Sequence, residues 1–132
     1  MKNEPVFLTF AEVIEIHEYQ LEHFGGDSGL RDSGLLKSAM GMPSATFDGA
    51  FLHSTLCEMA SAYLFHLVEN HPFVDGNKRV GAMAALIFLD LNGLDFDASD
   101  EDFTAMVLRV ASGKIRKAEI TLFFEAHCSQ RC

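Results

Sequence analysis

One stretch of nine residues, His71-Pro72-Phe73-Val74-Asp75-Gly76-Asn77-Lys78-Arg79, gathers a titratable base, a carboxylate, a glycine, an amide and two cations. Pro72 disfavours helix at His71, so a helix before it should end there. Asp75-Gly76 is a turn signal. Asn77 is a good N-cap, and the backbone N–H groups after it would then stay unpaired and face the loop. Free N–H groups and the positive end of a helix dipole favour an anion. Lys78 and Arg79 add full positive charge, and Gly76 lets a ligand approach the backbone closely. The chemistry this suits is phosphate binding. Asp75 cannot help an anion directly, but it suits Mg²⁺, which takes oxygen donors and shares them with phosphates. Histidine is the side chain suited to take and give a proton at neutral pH, so His71 is the natural general base. Phe73 reads as the buried anchor of the loop. Taken singly, each of these residues is more often structural; their density is what points to phosphate.

Two helices must position this loop. Ser54 or Thr55 caps the one before it, which runs to about Glu69 with Leu56, Met59, Ala60, Tyr63, Leu64 and Leu67 at helical spacing. The one after it, Asn77 to Asn92, is apolar almost all round and reads as the buried central helix, closed by Gly93. Gly81 near its start is expected to weaken it by up to about 1 kcal/mol. A first helix opens on the capping-box spacing Thr9 to Glu12, carries the stripe Val13, Ile14, Ile16 and Leu21, and stops at Gly25-Gly26. The glycine-rich loop from Gly25 to Arg31 is a candidate for substrate or partner contact. A short helix covers Asp32 to Met40, and Phe47 to His53 reads as irregular. Leu94 to Asp97 is briefly extended. Ser99 and Asp102 cap a fifth helix to Val110, and a last one spans Lys117 to Ala126. No stretch alternates with period two, so the class is all-α: about six helices around a buried central one, as a single domain over residues 1–132 with its core at about 8–126.

The chain has 132 residues, 48% hydrophobic and 22% charged, enough to bury a core. Nineteen acidic residues against ten basic ones give a net charge of −9, which argues against direct nucleic-acid binding. The apolar run from Ala82 to Leu89 is far short of the roughly 20 residues that cross a bilayer. No export leader pattern opens the sequence, so a cytoplasmic protein without a membrane partner is expected. Cys57, Cys128 and Cys132 are too sparse for a disulfide framework. His127, Cys128 and Cys132 read as a frayed C-terminus with incidental thiols rather than a metal site. His17, His23, His53 and His66 read as surface or satisfied residues, with His66 able to approach the loop from the preceding turn.

The stretch HPFVDGNKR resembles the signature of the Fic/Doc superfamily, and specifically of the Doc (death-on-curing) toxins. The likeness extends through Gly25-Gly26, Gly29-Leu30-Arg31-Asp32, Leu35-Leu36 and Ala111 to Ile115. It covers most of the chain, from about Phe10 to Phe124. AMP-transferring Fic enzymes typically read Gly-Asn-Gly-Arg with a second arginine three residues later; here Lys78 replaces that glycine and Ala82 stands at the later position. Doc proteins carry the lysine. The resemblance therefore implies an inverted Fic enzyme, an ATP-dependent protein kinase that transfers the γ-phosphate to a threonine of elongation factor Tu and halts translation. By position, His71 would deprotonate the target hydroxyl and Asp75 would hold Mg²⁺ through the phosphates. Gly76, Asn77, Lys78 and Arg79 would bind phosphates, with Lys78 and Arg79 stabilising charge on the transferring group. A toxin of this kind, from a type II toxin–antitoxin pair, implies a cognate antitoxin whose disordered C-terminal segment folds against it. The competing expectations are AMP transfer and a non-catalytic partner-binding module. The self-inhibiting pattern Ser/Thr-x-x-x-Glu-Gly/Asn has its nearest match at Ser54-x-x-x-Glu58-Met59, which fails at the last position. A capped helix and inhibition in trans are expected instead.

Overall fold

Four of the helices start where the sequence supplies a capping side chain, Thr9, Asp32, Thr55 or Ser99. A computed structural model describes residues 4–131. In chain order it contains α1 (Phe10–Phe24), α2 (Ser33–Gly41), β1 (Thr46–Phe47), β2 (Ala50–Phe51), α3 (Leu56–Asn70), α4 (Asn77–Leu91), β3 (Leu94–Phe96), α5 (Asp100–Ala111), α6 (Lys117–His127) and β4 (Cys128–Gln130). The fold is all-α, with the short strands confined to its margins. At α1 the Thr9 hydroxyl accepts from the Glu12 N–H at 3.1 Å while the Glu12 carboxylate accepts from the Thr9 N–H at 2.8 Å. Thr55 and Glu58 repeat the device at α3, and the Ser54 hydroxyl also donates to Glu58. Glu58 is thus a helix cap, as the failed inhibitory pattern led us to expect.

The main pairing is α3 against α4. Met59, Tyr63, Leu64 and Leu67 of α3 and Val80, Ala84, Phe88 and Leu89 of α4 are buried. Gly81 is not simply a weakness there. A Cβ on it would come within 3.2 Å of Val68 Cγ2 and 3.3 Å of the Leu64 carbonyl oxygen. The close approach of the two helices requires a residue without a side chain, and packing offsets the lost propensity.

Two expectations fail in the connections. The segment read as irregular holds a hairpin pairing Thr46 with Phe51 and Phe47 with Ala50. Its turn is Asp48-Gly49, both at positive φ (55° and 82°), the dipeptide that two-residue hairpins favour. The C-terminus is not frayed either. β4 pairs antiparallel with β3, Phe96 opposite Cys128, and the Arg131 guanidinium reaches Asp90 at 2.7 Å and Asp95 at 2.8 Å. Strand pairing and the charge fork hold what its polar composition left open. Cys57 and Cys128 are free and half-buried. Burial pushes the Cys57 thiol up and the Cys128 thiol up to about 12, so both stay protonated; Cys132 lies outside the described residues. Among the described residues no histidine, cysteine and carboxylate group has the arrangement of a metal site, and no helix is long and apolar enough to cross a membrane.

Candidate functional site

The loop between α3 and α4 is held by its backbone. α3 ends at Asn70, and His71 follows it in the left-handed region at φ 51° and ψ 54°. Pro72 and Phe73 are buried, whereas His71, Asp75, Lys78 and Arg79 are exposed. Asn77 does not cap α4. It is the first helical residue, and Gly76, at φ 82°, occupies the cap position. The Asn77 side chain is buried and turned back on the loop, where its Oδ1 accepts from the Phe73 N–H and its Nδ2 donates to the Phe73 carbonyl, both at 3.0 Å. The amide closes the turn as a second strand would. What Asn77 offers a ligand is therefore its backbone N–H.

That displacement leaves the start of α4 more open than expected. No side chain caps it, so the N–H groups of its first turn have no intrahelical partner. They meet Lys78 and Arg79 in a cleft of about 460 Å³, lined by His71, Asp75, Gly76, Asn77, Lys78 and Arg79 with Val68 and Ala111 as an apolar wall. All six residues expected in the site converge there. The Arg79 guanidinium lies 5.0 Å above the Phe24 ring at the end of α1, which restrains it without neutralising it. Asp75 accepts from the Asp27 N–H at 3.2 Å and from the Gly76 N–H at 2.8 Å. Those two bonds, then the nearby Arg79 and His17, hold its carboxyl below the usual carboxylate range. Each oxygen keeps lone pairs facing solvent, so the ionised carboxylate fits a divalent cation shared with phosphates.

Two supports come from elsewhere in the chain. His17 of α1, read as a surface or satisfied histidine, is buried at 5% exposure, and its ring stacks on Phe73 at 3.9 Å. Its Nε2 lies 2.9 Å from the Asp75 carbonyl and donates to it. The signal was present in its spacing, because Val13, Ile16, His17 and Gln20 form the buried stripe of α1. The glycine-rich loop, read as a candidate for substrate or partner contact, commits its backbone to the site loop. The Val74 N–H donates to the Gly29 carbonyl at 3.0 Å, and the N–H groups of Arg31 and Asp32 donate to the Pro72 carbonyl at 2.7 and 3.0 Å. A Cβ on Gly26 would stand 2.9 Å from Asp75 Oδ2, at a φ of 116°.

His66 does not approach the cleft. Its Nε2 lies 2.9 Å from the Lys117 ammonium, and the His53 Nε2 lies 3.1 Å from the same group. The ammonium can only donate, so both rings accept and are neutral.

The Fic/DOC family model matches residues 7–89, a span that takes in α1, the glycine-rich loop, the site loop and most of α4. The chain is 45% identical over 78 residues to Toxin Doc of Mycolicibacterium smegmatis, a match covering 56% of this chain and 60% of that protein. It is 30% identical over 110 residues to Protein kinase doc of Escherichia phage P1, covering 83% of this chain and 85% of the relative. The chain thus spans less than two thirds of the first relative and most of the second.

Proposed function

The chain belongs to the Fic/Doc family, and from that premise we propose that it is a toxin of the Doc type, a protein kinase that moves the γ-phosphate of ATP to a threonine hydroxyl. The observation that carries the reading is the uncapped start of α4, flanked by Lys78 and Arg79 and sharing one cleft with His71. Phosphoryl transfer needs a positioned acceptor, a place for its proton and fixed positive charge around the moving group. His71 supplies the second, taking the proton of the target hydroxyl onto its imidazole as the oxygen bonds to phosphorus and the bond to ADP breaks. The first-turn N–H groups, Lys78 and Arg79 supply the third, stabilising charge on the phosphoryl oxygens. Asp75 would hold Mg²⁺, which when bound neutralises charge on the nucleotide phosphates. The lysine at position 78, in place of the glycine of AMP-transferring relatives, favours the kinase over nucleotidyl transfer, and a relative is named a protein kinase.

We assign the target as a threonine of elongation factor Tu, whose modification would arrest translation in the cytoplasm. Restraint would come from a cognate type II antitoxin acting in trans through a C-terminal segment that folds on binding. The use of Glu58 to cap α3 supports restraint in trans. Parallel label-transfer assays with γ-labelled and α-labelled ATP test the assignment. Label from the γ position, falling by about 10²- to 10⁴-fold in His71→Ala while ATP still binds, is expected. Label from the α position would make it an AMP transferase; bound ATP with no label would point to a binding module.

A further inference from the structure

We propose that Arg31, on the glycine-rich loop, is a positioning residue that fixes the backbone of His71 and thereby aims its imidazole into the cleft; its catalytic part rests on the reading of His71 as the base. A helix leaves its last carbonyls without partners. The orphan carbonyl of Asn70 at the end of α3 is followed by those of His71 and Pro72, and among the described residues Arg31 alone donates to all three. Its Nη2 reaches the Asn70 carbonyl at 3.0 Å and its Nε the His71 carbonyl at 2.7 Å. Its backbone N–H reaches the Pro72 carbonyl at 2.7 Å.

The consequence is conformational. The Asn70 carbonyl belongs to the peptide plane before His71, and the His71 carbonyl to the plane after it. Holding both planes from one rigid guanidinium sets φ and ψ of the residue between them. That residue sits at φ 51°, a region a side-chain-bearing residue occupies only when its surroundings hold it there. Pro72 already disfavours the right-handed region for His71 but leaves the extended one open. The Arg31 fork closes that alternative. No hydrogen bond among the described residues holds the imidazole itself, so its direction depends on its backbone. A lysine could not replace the arginine, because a single ammonium cannot reproduce the planar fork. Arg31 is also exposed and outside the core, so its replacement should leave the helices intact.

The test uses the full chain as wild type, Arg31→Lys and Arg31→Ala, with two readouts. The backbone shifts and one-bond Cα–Hα coupling of His71 in labelled protein report its φ directly. The second readout is kcat and KM for ATP in γ-phosphate transfer. Both variants should keep their helical spectrum, lose the positive-φ signature of His71 and lose at least tenfold in kcat, with KM for ATP changed by less than twofold. Retained positive φ with unchanged kcat in either variant overturns the inference. So does a fall in activity that only tracks a smaller folded fraction. If the wild type transfers no label, the reading of His71 as a base fails, and with it the catalytic half of the inference. The His71 signature in the same samples still decides whether Arg31 holds that residue.

Discussion

Two places in this molecule bring histidine and lysine together, and they are built in opposite ways. Between α3, α6 and the segment after β2, the Lys117 ammonium donates to the Nε2 atoms of His53 and His66. In the loop before α4 the side chains of His71, Lys78 and Arg79 face one cleft, and it is the backbone that is tied down, by Asn77, His17, Arg31 and Gly29. The first arrangement commits its ring nitrogens and its ammonium to one another. Burial and then the Lys117 charge depress His66 to about 4, and burial and then Arg116 lower Lys117. The second leaves charge and lone pairs available. The loop before α4 leaves His71, Lys78 and Arg79 open to a ligand because neighbours hold its backbone.

The sharpest way to break that contrast is to untie the loop. Asn77→Ala leaves the buried N–H and carbonyl of Phe73 without partners, and a loss of about 2–4 kcal/mol is expected, read as a lowered midpoint in denaturant. Nucleotide affinity should fall with it. An unchanged midpoint would mean that the amide does not close the turn.

Gly26→Val should cost about 1–3 kcal/mol through its positive φ, and it presses on Asp75 Oδ2. Because the carboxylate can swing away, the diagnostic effect is on Mg²⁺-dependent ATP binding measured by calorimetry. Equal affinity in wild type and variant would free Asp75 of any role in holding the cation.

The histidine–lysine cluster makes a prediction in pH. His66 is held neutral in the folded chain, while the unfolded chain takes up a proton below about 6.5, the ordinary histidine value. Folding stability should therefore fall as pH drops from about 6.5 towards 4, and this contribution should level off below that. Discounted for partial exposure, the loss is about 1 kcal/mol. His66→Gln should flatten melting temperature against pH in that window; an unaltered slope would show that the cluster does not exclude the proton.

The smallest effect sharpens a related contrast, between the closed start of α3 and the open start of α4. Thr55→Ala should cost about 1 kcal/mol in thermal unfolding, with phosphoryl transfer per folded molecule unchanged. A matching loss of activity would place that cap in the working site.

Much of this was legible because it is local. Capping boxes at Thr9 and Thr55, the stops at Gly25 and Pro72 and the apolar run of α4 are decided by neighbours three or four residues apart, and a sequence displays those. The six site residues are likewise nearly contiguous, so their shared cleft followed from one loop. The Asp48-Gly49 hairpin carried a local signal that its short flanking strands made easy to pass over.

What only the folded chain decided depends on long separations. Whether Asn77 caps a helix or closes a loop depends on which groups are buried beside it, and Phe73 sits there because His17, far back on α1, stacks under it. Gly81 reads as a flaw until α3 lies against it. Arg31 becomes a clamp only once three carbonyls stand before it. The sequence by itself determined which atoms can bind phosphate and accept a proton, because that is fixed by side-chain chemistry. The tertiary structure determined which of those atoms remain uncommitted, because that depends on what each meets when the chain closes.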